Sequence, residues 1–177
     1  MVTMQTGKAS RRATRRSIWP RFGRAKWDRQ PTQSSAVLIA TVGLPIPPAV
    51  VRRAMELSRG RPVAIISIAR IYGSSMGLPN PGLLPTRKEM DEQRALVADA
   101  IDELEQAGIE AWGQVAATRR YGKTIALAAE ARGAEHVLVV TPKAPAWRRF
   151  IEGDTARDVR RRIRRKNADI PVEGIAV

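Results

Sequence analysis

The groups best suited to chemistry gather in one short run of this sequence, "FIEGDTARDVRRRIRRK" from Phe150 to Lys166. Gly153, Asp154 and Thr155 have the form of a helix start, where free backbone amides can hold a phosphate. Seven cationic residues follow between Arg157 and Lys166, and guanidinium groups pair with phosphates through parallel N–H bonds. The same run also reads as an ordinary surface helix. Thr155 and Asp158 form a capping-box-like pair, Ala156, Val159 and Ile163 supply an apolar stripe, and late cations complement the helix dipole. Yet Arg160, Arg161, Arg162, Arg164, Arg165 and Lys166, with Lys143, Arg148 and Arg149 just upstream, exceed what that role requires. Such a surplus points to a polyanion contact.

The remaining motifs argue against catalysis. "GSSMG", Gly73 to Gly77, matches a nucleophile elbow by letter, but "LPNPG" follows where a helix should begin. The single histidine, His136, opens a strand instead of following one, so the partners of a triad are missing. Asp102 and Glu105 are one helical turn apart on the face opposite Ile101 and Leu104, where solvated carboxylates do no acid-base work. With no cysteine, disulfides and thiolate zinc sites are impossible, and a cytoplasmic location fits.

At 177 residues and 44% hydrophobic content, the chain suits one domain with its own core and a tail. No stretch approaches the roughly 20 apolar residues of a membrane-spanning helix, and no apolar centre of a secretory signal is present. The net charge of +14 sits at two places: residues 1–35 carry +8 and residues 141–167 carry +7, whereas residues 36–140 carry only +1. Residues 1–35 lack a sustained apolar period and contain Arg11, Arg12, Arg15 and Arg16, as expected of a disordered basic arm. Within it, Ile18, Trp19, Phe22 and Trp27 sit among cations, a mixture suited to an anionic membrane surface, to stacking on bases, or to packing against the domain.

From Ala36 to Val177 strands and helices alternate. "AVLIATV" (36–42) and "PVAIISIA" (62–69) read as strands buried on both faces. Between them, Pro47 and Pro48 open a helix with Val50, Val51, Ala54 and Leu57 on its apolar stripe, ended by Gly60. Residues 73–85 are rich in breakers and form a long loop, a candidate lid. A helix over 87–107, with Met90, Val97, Ile101 and Leu104 on one face, stops at Gly108. A third strand (about 110–116), a third helix (123–132), a fourth strand "HVLVVT" (136–141), the arginine-rich helix and a final strand over 172–177 complete the series. Glu173 and Gly174 interrupt that last strand. Such alternation implies a doubly wound parallel α/β sheet with helices on both faces. Its ligands bind at the carboxyl ends of the strands, where the strand order reverses.

The first strand ending in "ATVG", the run "YGKTIALAAEARGAEHVLVV", and "EGDTARDVRRRI" followed by "IPVEGIAV" together resemble the universal stress protein family. The resemblance covers Ala36 to Val177 and implies five parallel strands in the order 3-2-1-4-5, a non-catalytic role in the stress response, and a homodimer. ATP-binding members carry an acid near the end of the first strand and a Gly-x-x-Gly turn after the fourth. Here Val42 holds the acidic position, and "PKAPAWRRFIE" lacks those glycines. Neither Pro142 nor Pro145 allows the close approach or the positive φ that a phosphate turn needs. An acid at position 154 would also repel a phosphate. The resemblance therefore implies weak binding of ATP or another adenine nucleotide, or none. If one binds, it meets Thr41, Gly43, Thr141, Gly153, Asp154 and Thr155. The alternative is a polyanion-binding module that attaches to RNA or the ribosome, DNA or an anionic membrane. It would use Arg11, Arg12, Arg15 and Arg16 of the arm with Arg148, Arg149, Arg160, Arg161, Arg162, Arg164, Arg165 and Lys166.

Overall fold

A computed structural model describes the chain over residues 34–71, 84–143, 154–165 and 169–177. The basic arm through residue 33, the Gly73 to Gly77 elbow match, Arg148, Arg149, Gly153 and Lys166 lie outside these residues. Five runs of alternating or continuous apolar residues form strands: β1 (Val37–Val42), β2 (Val63–Arg70), β3 (Ala111–Thr118), β4 (His136–Thr141) and β5 (Val172–Ala176). Four helices join them: α1 (Pro48–Ser58), α2 (Arg87–Gln106), α3 (Tyr121–Ala131) and α4 (Thr155–Arg165). All pairings are parallel and the order is β3-β2-β1-β4-β5. The expected architecture is therefore the observed one, with element boundaries shifted by one or two residues.

Strand pleating divides the core into two layers, because successive side chains point to opposite faces. Leu38, Ile66, Ile68, Val139 and Trp112 pack with Ile125 of α3 and Val159 and Ile163 of α4. Ile39, Ile65 and Leu138 pack on the other face with Val50 and Val51 of α1 and Ile101 and Leu104 of α2. Each face thus carries two helices. The central strands β1 and β4 are apolar on both faces for this reason.

Local signals set the helix ends. Pro48 opens α1 without loss of a bonded amide. Thr86 caps α2 by a complete capping box: its Oγ1 accepts from the Glu89 amide at 3.2 Å, and Glu89 Oε2 accepts from the Thr86 amide at 2.7 Å. Gly108 follows with φ +76°, the left-handed stop expected of it.

The final strand departs from expectation. Glu173 and Gly174 do not interrupt β5, since they pair in register with Leu138 and Val139 of β4. Pairing continues past the strand, with the Val177 amide donating to Thr141 O at 3.0 Å and the Lys143 amide to Val177 O at 2.6 Å. Glu173 stays at the sheet edge, where its carboxylate accepts from Arg53 of α1 at 3.2 Å. Gly174 is there for space. A Cβ at that position would stand 3.1 Å from Ala156 Cβ in the first turn of α4.

Candidate functional site

The strand order reverses between β1 and β4, so their connections leave the sheet in opposite directions and open a crevice at their carboxyl ends. Parallel pairing of β1 with β4 brings Thr41 and Gly43 to the same end of the sheet as Thr141. The third contributor, the first turn of α4, reaches this end because Gly174 has no side chain. A Cβ there would meet both Ala156 and, at 3.8 Å, Thr141 Cγ2. The fold therefore gathers the described members of the expected nucleotide set at one end of the sheet.

The hydroxyls of Thr41 and Thr141 are already engaged. Thr41 is fully buried, and its hydroxyl donates to Leu44 O at 2.7 Å, closing the turn after β1. Gly43 takes φ +65° in that turn, a conformation that favours glycine. Val42, at the position where the resemblance expects an acid, is 4% exposed and packs in the core layer beneath α3 and α4. Thr141 Oγ1 donates to Ile175 O at 3.2 Å, which ties β4 to β5.

The helix start corrects the sequence reading by one residue. Asp154, not Thr155, is the cap: its Oδ1 accepts from the Arg157 amide at 3.0 Å, and its carbonyl accepts from the Asp158 amide at 2.9 Å. Thr155 is the first helical residue, past the position from which a side chain reaches back to the third amide of the helix. Asp158 accordingly takes no part in a capping box. Its Oδ2 accepts from Arg162 Nε at 2.9 Å, one turn onward. This pair lies against the start of α3, where a Cβ on Gly122 would collide with Asp158 Oδ2. A carboxylate is favourable there because helix N-termini carry partial positive charge.

Other candidates fall away from this end. His136 opens β4 at the opposite end of the strand. Asp102 and Glu105 are exposed on α2, as expected. Among the described residues no cluster of three or more His, Cys, Asp or Glu could hold a metal. Among the described residues two carboxylates sit below their ordinary titration range, and neither belongs to the crevice. Glu135, just before β4, is held down chiefly by hydrogen bonds from Arg61 at 2.5 and 2.7 Å. Glu89 is held down first by the Thr86 amide and then by its hydroxyl.

The cations of α4 divide into two groups. Arg160 Nη2 donates to Val172 O at 2.7 Å, strapping the helix to β5, and Arg162 belongs to Asp158. Arg161, Arg164 and Arg165 are exposed. Arg157, not among the cations expected at this surface, is exposed beside them. Its spacing of four from Arg161 was the signal available in the sequence.

The family model of the universal stress protein family matches residues 35–165. No curated protein matches the chain. Among solved structures, the chain is similar to a protein from the universal stress protein family of Burkholderia pseudomallei, with 14% identity and a TM-score of 0.51 over 82% of this chain and 98% of that one. It is also similar to the universal stress protein from Archaeoglobus fulgidus in complex with dAMP, with 19% identity and a TM-score of 0.52 over 78% of this chain and 97% of that one. These likenesses concern the fold. With the family model spanning most of the described sheet and its helices, the chain belongs to the universal stress protein family.

Proposed function

We propose that this chain is a non-catalytic regulatory protein of the stress response whose crevice takes an adenine nucleotide weakly or not at all. The observation that carries this reading is Asp154. Its carboxylate caps the first turn of α4, the position where a helix start would otherwise offer amides and positive potential to a phosphate. The buried Val42 and the inward-turned Thr41 hydroxyl support the same reading, since neither offers a polar group to a ribose. The dAMP in the Archaeoglobus fulgidus protein's complex makes an adenine nucleotide the ligand to test.

Thermal unfolding with 1 mM ATP, dAMP or cyclic AMP is the test. A dissociation constant at or above 1 mM stabilises the fold by about 0.4 kcal/mol at most, a Tm rise of about 1 °C. A constant near 10 µM would raise stability by about 2.7 kcal/mol and Tm by several degrees, which would overturn the proposal. Asp154→Asn keeps the cap but removes the charge, so it should tighten whatever nucleotide binding exists.

The protein is further proposed to work in the cytoplasm as a homodimer. The β5 edge is the surface that favours pairing, with Val177, just past the strand, 37% exposed. Sedimentation equilibrium giving only the 19.5 kDa monomer at micromolar concentration would rule the dimer out. Among the described residues no helix is long and apolar enough to cross a membrane.

A further inference from the structure

The outer face of α4 is built almost wholly of arginine. Six of its eleven residues are Arg, and the apolar stripe of Ala156, Val159 and Ile163 is buried against the sheet. Arg160 and Arg162 have structural partners, on Val172 O and Asp158. Arg157, Arg161, Arg164 and Arg165 are exposed and form no ion pair with another described residue. Two features of this set are unfavourable in the isolated domain. Arg157 lies in the first turn, where the helix dipole disfavours a cation. Arg157 with Arg161, Arg161 with Arg165, and Arg161 with Arg164 are like-charge neighbours at helical spacings, which repel. An anionic partner would relieve both.

We propose that this face is a docking surface for the phosphate backbone of double-stranded nucleic acid, without reading of bases. From Arg157 to Arg164 the helix rises about 10 Å, a length over which a duplex presents about six phosphate charges. Guanidinium groups suit phosphates better than ammonium groups do, because they can donate two parallel bonds. No aromatic residue occurs in α4, so the helix offers exposed bases no aromatic platform, and a duplex, whose bases stay stacked inside, meets it through its backbone. Insertion into a membrane is disfavoured by the same face. An interfacial helix must bury an apolar side in lipid, and the apolar side of α4 already faces the sheet. The surface is separate from the nucleotide question, since it needs no ligand in the crevice.

The experiment is fluorescence anisotropy of labelled 20-base-pair RNA and DNA duplexes of unrelated sequence, titrated with the full chain at 50–200 mM salt. Four phosphate contacts contribute a slope of about −3.6 in log affinity against log salt. Arg157→Gln, Arg161→Gln, Arg164→Gln and Arg165→Gln together should remove about that much. Across the fourfold salt range, the wild-type affinity then falls about a hundredfold more than the variant's. Cations outside this set account for whatever slope remains. The corresponding four Lys substitutions should keep the slope, and Arg52→Gln with Arg87→Gln, on α1 and α2, should leave it unchanged. Thermal unfolding checks that the fourfold variant is folded, and Arg161→Gln with Arg164→Gln alone should remove about half the effect. An unchanged slope in the folded variants would overturn the proposal. So would equal loss from the α1 and α2 pair, or arginine-dependent binding to phosphatidylserine vesicles with no binding to either duplex.

Discussion

Gly113 offers the sharpest test of how the layers are packed. It lies in β3 beneath α2, and a Cβ built on it stands 2.1 Å from Val97 Cγ1, 3.4 Å from Ile101 Cδ1 and 3.5 Å from Ile65 Cβ. Carbon atoms pack at about 3.5–4.0 Å, so the Val97 contact is short by roughly 1.5 Å while the other two are tolerable. Val97 is fully buried and its branched side chain has few rotamers to choose from in a helix. Gly113→Ala must therefore push α2 away or force Val97 off its rotamer, a cost of about 1–3 kcal/mol. For a chain of this size that lowers Tm by about 2–10 °C. Val97→Ala alone removes two buried methyl groups and costs about 2 kcal/mol with its cavity. In the double variant the added methyl fills that cavity, so the losses should fall short of additive by about 1 kcal/mol or more. Urea unfolding of the four proteins, with unchanged m values, measures this directly. A loss below about 0.5 kcal/mol for Gly113→Ala, or strictly additive losses, would refute the packing argument.

Two further outcomes follow from the same structure. Glu135 and Glu89 titrate below their ordinary value of 4.5 in the folded protein. Their contribution to stability is thus fully present above that value and lost as pH falls through the lowered folded values. Glu135→Gln should flatten the acid limb of a stability profile as pH falls below the ordinary value of 4.5, most visibly at low salt because the pair with Arg61 is exposed. Gly174→Val should lift the first turn of α4 from β5 and speed amide exchange of Arg157 and Asp158, whose amides are bonded to Asp154, while Gly174→Ala has a smaller effect because its methyl meets only Ala156 closely, at 3.1 Å. Equal exchange rates in wild type and the valine variant would contradict that role for the glycine.

The alternation of strand and helix was legible because its signals are local. Apolar runs such as Val37–Val42, the stop at Gly108 and the proline start of α1 each depend on neighbours within a few residues. The two-sided burial of β1 and β2 follows from the same patterns, and so does the strand order once the family resemblance is drawn. The candidate crevice was legible only as a place. Which polar atoms remain available there depends on contacts closed by the fold, such as Thr41 to Leu44 O and Thr141 to Ile175 O. The latter joins residues 34 positions apart, which no local pattern reports.

The run that begins at Phe150 shows where the division falls. Its sequence alone determined that a helix would form, that Ala156, Val159 and Ile163 would be buried, and that an arginine surplus would face outward, since helical periodicity and charge need no tertiary information. Only the tertiary structure decided that Asp154 is the cap, that Arg160 is spent on Val172 O, and that the Asp158–Arg162 pair, itself at local helical spacing, lies against α3. The capping register turns on backbone geometry that differs by one residue between two equally good sequence patterns. The fate of Arg160 turns on the carbonyl that β5 presents to it, and Gly174 lets the helix approach the sheet closely enough for that contact.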